Sequence, residues 1–218
     1  GTAIPASIRG NLVITKTGAA ADPAIYIEFP DQVDIGGSLL IIGGACTVKG
    51  TTSTVGLSGD FIMAGGSLRA NATSAANGII NINFKGNSRQ SFSKSGGVIE
   101  KSNGTATKGE IRFSILENAI VDFGESVLNG DASFTVAAGA RLITRHAEGI
   151  AATGSTGSIQ VTGTRTYSND ADYAYAGSLH QVTGLGLPGI VRRLIIDNAS
   201  GVQSGAGVTL SRATTINK

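Results

Sequence analysis

Glu117, Asp122 and Glu125, with Arg112 just upstream, are the residues of this chain best placed to do chemistry. Enzymes that cut acidic polysaccharides hold an acid and a base a few ångströms apart and tune one of them with a neighbour. Asp122 alternates with Val121 and Phe123, so it is expected to face outward. No histidine is near in sequence, and neither a paired Asp-Asp nor an Arg-x-Lys string occurs. A set of charges on an outward face is then expected to be solvated, and no catalytic residue is assigned.

Other constellations fare no better as chemistry. Gly184-Leu185-Gly186-Leu187-Pro188-Gly189 matches the dinucleotide-binding string, which needs a following helix N-terminus to meet a pyrophosphate. Here Pro188 interrupts it and Ile190-Val191-Arg192-Arg193-Leu194-Ile195-Ile196 follows as a strand, so these are bend glycines. Asn169-Asp170-Ala171-Asp172 offers alternate oxygens of the kind calcium uses, without the glycine and glutamate of a complete loop. A surface turn is expected there, with a calcium ion near Asp170 and Asp172 left open. His146 and His180 lack converging partners, and no serine elbow exists. Cys46 is the only cysteine and sits in Leu39-Leu40-Ile41-Ile42-Gly43-Gly44-Ala45-Cys46, where it is expected to be a small buried hydrophobe. Neither cofactor nor metal is assigned. Two features could touch a sugar: Tyr173 and Tyr175, two apart on one strand, and Arg192 and Arg193, which with Arg141 and Arg145 could form a small basic patch. Packing along the fold is the competing expectation for the tyrosines.

The elements that carry these residues are strands. Thirty-two glycines in 218 residues interrupt almost every window long enough for a helix. The stretch 19–35 is glycine-free but contains Pro23 and Pro30. The stretch 110–123 alternates with period two through Ile111, Phe113 and Ile115. The same alternation recurs at Ile80–Phe84, Val121–Phe123, Phe134–Val136, Ile159–Val161 and Val208–Leu210, each bounded by turn residues. The chain is therefore all-β. A hydrophobic share of 41% excludes disorder, and a net charge of +2 offers no case for nucleic acid or an anionic membrane. No apolar run is long enough for a membrane-spanning helix.

Repetition chooses among all-β architectures. Val33-Asp34-Ile35-Gly36-Gly37 and Val55-Gly56-Leu57-Ser58-Gly59 are alike at an offset of 22. Gly65-Gly66-Ser67-Leu68-Arg69 and Ala138-Gly139-Ala140-Arg141-Leu142 echo Gly36-Gly37-Ser38-Leu39-Leu40. A unit near 20 residues fits one coil of a single-stranded parallel β-helix, a solenoid of roughly ten coils and on the order of 50 Å long. A β-sandwich is the alternative. Residues 1–218 are expected to form one solenoid domain, cut from a longer secreted protein, with 94–108 as a protruding loop or irregular coil.

Residues 111 to 202 resemble the β-helical, adhesin-like repeat regions of large secreted surface proteins of Bacteroidota-type bacteria. The phrases that carry the resemblance are Phe113-Ser114-Ile115-Leu116-Glu117-Asn118-Ala119, Gly157-Ser158-Ile159-Gln160-Val161-Thr162-Gly163-Thr164-Arg165-Thr166-Tyr167 and Gln181-Val182-Thr183-Gly184-Leu185-Gly186-Leu187-Pro188, then Leu194 to Val202. The resemblance implies an exported, non-enzymatic stalk or adhesive spacer at a Gram-negative cell surface, meeting glycans or neighbouring cells. The alternative is a carbohydrate-binding or polysaccharide-active β-helix with a shallow groove, and a trimeric viral spike segment would share the fold.

Overall fold

Short alternating strands with glycine at their ends can bury one face only by stacking on their own kind, and the chain does this. The structure is a computed structural model that describes residues 2–15, 26–48, 51–70, 78–101, 109–205, 207–210 and 215–216. Its 27 strands follow one another in nine coils of three, and every pairing is parallel. This is a parallel β-helix. The antiparallel pairs of a sandwich do not occur among the described residues.

Each coil lays one strand in each of three stacks. The first stack is a five-stranded sheet from Thr2–Ala3 to Val98–Glu100, continued by the pair Leu128–Gly130 and Ile159–Val161 and the pair Gln181–Val182 and Val202–Gln203. The second is a seven-stranded sheet from Ser7–Ile8 to Arg165–Tyr167, continued by the pair Ile190–Val191 and Thr209–Leu210, and the third a nine-stranded sheet from Leu12–Ile14 to Thr215–Ile216. Nine layers about 4.8 Å apart make a stack of about 40 Å.

The 22-residue echo is a true coil step, because Val33 pairs with Val55, Asp34 with Gly56 and Ile35 with Leu57. Other coils are longer: Arg112 pairs with Ser133, 21 residues on, whereas Phe134 pairs with Arg165, 31 on. The echoes around Ser67 and Arg141 are not coil steps. Ser67–Arg69 lies in the first stack and Leu39–Ile41 in the third, so that likeness reflects corners of similar chemistry on different sides. The expected loop at 94–108 is also corrected in part: Val98–Glu100 is a strand paired with Ser67–Arg69. Residues 102–108 lie outside the described residues.

The core is a column of inward side chains. Ile80, Ile82 and Phe84 are fully buried, with Asn81 and Asn83 outward between them. In the third sheet Phe61 and Phe92 are in register and stack at 5.4 Å, and Phe92 stacks on Phe123 at 4.6 Å. Phe113 meets both Phe61 and Phe92 edge-on. Phe134, Tyr167 and Tyr173 carry the contact upward. Seven aromatic rings thus run from the third coil to the seventh, each pair adding about 0.5–1.5 kcal/mol beyond its burial.

Candidate functional site

The densest polar constellation lies on the outward side of the third sheet, where the coil register brings acids and arginines together. One column there reads Arg89, Ile120, Arg141, Asp172, Arg193 in successive coils. Asp172 is 1% exposed, with Arg141 at 3.1 Å, Arg192 at 2.8 Å and Arg193 at 2.9 Å. The sixth, seventh and eighth coils are pinned through one carboxylate. Arg192 also donates to the Gly139 carbonyl at 3.0 Å. Burial alone would raise the Asp172 carboxyl, but hydrogen bonds from Arg192 and Arg141 and the charges of Arg192 and Arg193 outweigh it and hold it below the usual carboxylate range.

Asp122 forms a second hub. It is ion-paired to Arg89 of the coil below and to Arg145, at 3.2 Å, of the coil above, and accepts from the Gly124 amide at 2.8 Å. Burial again pushes its carboxyl up, and the hydrogen bonds from Arg89 and Gly124 with the charges of Arg89 and Arg145 bring it below its ordinary value. Both aspartates are held ionised at neutral pH. A carboxylate so held accepts hydrogen bonds well and gives up a proton poorly, the opposite of a tuned general acid.

The residues singled out from the sequence are distributed accordingly. Arg192 and Arg193, the expected glycan contacts, are engaged on Asp172, and their side chains are 21% and 40% exposed. Arg141 joins them, whereas Arg145 belongs to the Asp122 hub, so the four arginines form two clamps rather than one patch. Tyr173 and Tyr175 are corrected as sugar contacts: each is 1% exposed. Their hydroxyls donate inward, Tyr173 to the Ser168 carbonyl and Tyr175 to the Thr183 carbonyl, both at 2.8 Å. They pack along the solenoid because the strand Asp172–Tyr175 is buried on both faces, Asp172 and Ala174 outward beneath the arginines' level and the tyrosines in the core. Asp172 is likewise no free calcium ligand, since its oxygens are taken by three guanidinium groups.

The hydrogen bond that Arg192 donates to Asp172 raises that guanidinium's affinity for its proton most, and the charge of Glu117 adds to it. Asp122, facing outward as expected, has different partners, so these two members of the Glu117, Asp122, Glu125 set serve different arginines. His146 accepts a hydrogen bond from the Glu148 amide at Nδ1, 3.1 Å. Cys46 is buried, and burial pushes its thiol up to about 12. Among the described residues no group of three or more metal-ligating side chains converges. Gly184 turns at φ +76° with its α-carbon against the Ile150 carbonyl, where a Cβ would stand 2.1 Å from that oxygen, so it is a bend glycine of a tightly stacked corner.

Two glutamines that the sequence did not single out close corners in the same way. Gln90 accepts from the Gly86 amide at 2.7 Å and donates to the Leu57 carbonyl at 3.0 Å and the Gly59 carbonyl. Gln181 accepts from the Gly177 amide at 2.7 Å and donates to the carbonyls of Thr144 at 3.3 Å and His146 at 3.0 Å. Both are at most 1% exposed, and each gives a corner amide, of Gly86 or Gly177, its acceptor, while the carbonyls of Leu57, Thr144 and His146 also accept the amides of Lys85, Ala176 and Gly149. The signal was present: Ile82-Asn83-Phe84-Lys85-Gly86 and Tyr173-Ala174-Tyr175-Ala176-Gly177 each precede a glutamine by the same spacing. No family model matches this chain, and no curated protein or solved structure matches it either.

Proposed function

We propose that the chain is a non-catalytic stalk or adhesive spacer of an exported bacterial surface protein. The observation that carries this reading is the pinning of successive coils by side-chain ion pairs. Arg69–Glu100, Arg89–Asp122–Arg145 and the Asp172 hub each tie one coil to the next, and Lys85 reaches Asp34 two coils away. Gly56, in register between Asp34 and Asn83, leaves room for that pair; a Cβ there would stand 2.4 Å from the Asp34 oxygen and 2.7 Å from the Lys85 side chain. The backbone of each coil is bonded to its immediate neighbours, so such ties stiffen a rod against separation along its axis. The composition, rich in short polar side chains, leaves outward faces that loops and hydroxyls can present to glycans or to neighbouring cells. The resemblance of residues 111 to 202 to adhesin-like repeat regions supports the same assignment, as does the ionised state of the two buried aspartates.

The test has two arms. Antibody raised against the folded chain should label intact source cells; labelling only after permeabilisation would overturn surface location. A broad polysaccharide screen should give no turnover. Activity that vanishes in Glu117→Gln, Asp122→Asn or Glu125→Gln would overturn the non-catalytic assignment.

A further inference from the structure

Three hollows open beside the first stack, the lowest at the corner onto the second sheet and the other two against the connection that enters the first stack from the third sheet. The lowest, about 350 Å³, is bounded by Glu110, Asp131, Ser133 and Thr164 of the fifth to seventh coils. The next, about 370 Å³, is bounded by Gln160, Thr162, Ser155 and Arg165 and shares Gly163 with the first. The third, about 320 Å³, shares Ala152 and Thr153 with the second and reaches Glu148, Val182 and Leu185. Shared walls set the three end to end through the fifth to eighth coils. Thr162 donates to Asp131 at 3.1 Å across the junction of the first two.

The wall between the second and third hollows is a built feature. Residues Ala152–Thr156 form an exposed finger in the connection between Arg141–Thr144 and Ile159–Val161. Arg165 staples it, donating to the carbonyls of Ala151 at 3.2 Å, of Gly154 and of Val161 at 2.9 Å. Tyr167 donates to the same Ala151 carbonyl at 3.0 Å. These bonds to neutral carbonyls fix the finger's position and leave the charge of the guanidinium uncancelled.

We propose that this line of hollows is an extended groove for a neutral polysaccharide chain, a proposal that rests on the adhesive reading given above. A linear string of hollows fits a linear polymer, and each is at the lower end of the roughly 300–1,000 Å³ typical of ligand pockets. Its walls alternate hydroxyl, amide and carboxylate groups, which pair with sugar hydroxyls as donors and acceptors. The charge is balanced: Glu110, Asp131 and Glu148 stand against Lys101, Arg165 and the Arg112 ion-paired to Glu110. Such a lining favours neither a polyuronate nor a nucleic acid. Beside the lowest hollow the strands Glu110–Ile115 and Ser133–Val136 are paired on both edges, so a peptide cannot add there as a strand. Leu185, 76% exposed at the upper end, gives an apolar surface for a sugar ring face.

The experiment is titration calorimetry of the full chain with linear β-1,4-glucan, β-1,3-glucan and β-1,4-mannan hexasaccharides, alongside oligogalacturonate and single-stranded DNA. Binding of at least one neutral hexasaccharide in the millimolar range is expected, since a shallow groove buries little area. Ser133→Tyr and Thr162→Tyr, which fill the first two hollows, should each weaken it about tenfold or more, a loss of about 1.4 kcal/mol. Ser88→Tyr, exposed at a different corner, should bind as the parent does. Circular dichroism confirms that each variant is folded, and Gln160→Ala replaces any that is not. No neutral binding, tighter binding of the polyuronate or DNA, or equal binding by the groove variants would each overturn the groove. If the parent binds and the groove variants bind equally, the adhesive reading stands while the groove falls. If the hexasaccharide is shortened during incubation, the adhesive reading falls instead.

Discussion

Asp172→Asn tests the three-arginine hub most directly, because it keeps the side chain's shape and removes only its charge. In the parent, one carboxylate at 1% exposure faces Arg141, Arg192 and Arg193 at 2.8–3.1 Å. Removing one partner of a buried ion pair costs about 3–5 kcal/mol, because the remaining charge is left uncompensated. The arginine side chains are 21–40% exposed and can turn partly to water, which lowers the expected loss to about 2–4 kcal/mol. That is a large part of a typical stability of about 5–15 kcal/mol. Arg193→Met should cost less than about 1 kcal/mol, since Arg193 is the most exposed of the three and two guanidinium groups remain. Urea unfolding followed by circular dichroism at pH 7 measures both. The pH arm follows from the depressed Asp172 carboxyl. A carboxyl lowered in the folded state stabilises above its unfolded value, near 3.9, and that contribution fades as pH falls from there through the folded value. The parent should therefore lose stability below about pH 4 more steeply than Asp172→Asn. An Asp172→Asn loss under about 1 kcal/mol, an equal loss in Arg193→Met, or identical acid limbs would refute the hub.

Gln90→Leu should cost about 1–3 kcal/mol in the same urea assay, because it leaves the Gly86 amide and the Gly59 carbonyl without their partner, while the Leu57 carbonyl keeps the Lys85 amide; a change under about 0.5 kcal/mol would mean the corner relaxes to pair them itself. Phe92→Ala, at the centre of the stack between Phe61 and Phe123, should cost about 3–5 kcal/mol. Phe92→Leu should recover most of that by keeping volume, and equal losses would argue against a packed column. Cys46 should stay unmodified by iodoacetamide at pH 8 in the native chain and react fully in urea, since burial pushes its thiol up to about 12; native labelling at the rate of a free thiol would contradict its burial.

Much of the architecture was legible because a strand's period of two is a local property. Ile80–Phe84, Phe134–Val136 and Ile159–Val161 are strands where their alternation places them. Val33-Asp34-Ile35 and Val55-Gly56-Leu57 even disclose a coil step, since an unbroken coil of constant length repeats its pattern in register. Coil length was not legible beyond that pair. A corner accepts an insertion without disturbing the register above it, so steps of 21, 22, 27 and 31 residues mix and the repeat blurs.

Within the polar constellation, the sequence by itself determined residue types and outward or inward parity, such as Asp122 outward between Val121 and Phe123. Parity put Tyr173 and Tyr175 on one face, as they are, but left open whether that face was the core or a sugar surface, and the strand is covered on both sides. Only the tertiary structure decided partners. Arg141, Asp172 and Arg193 are distant in sequence, and their column exists only once the register of three coils is set. The hollows are equally non-local, since their walls come from separate coils and from a finger whose place depends on Arg165. Alternation is enforced residue by residue by backbone geometry, whereas stacking register is a sum over many weak contacts that no short stretch of chain contains.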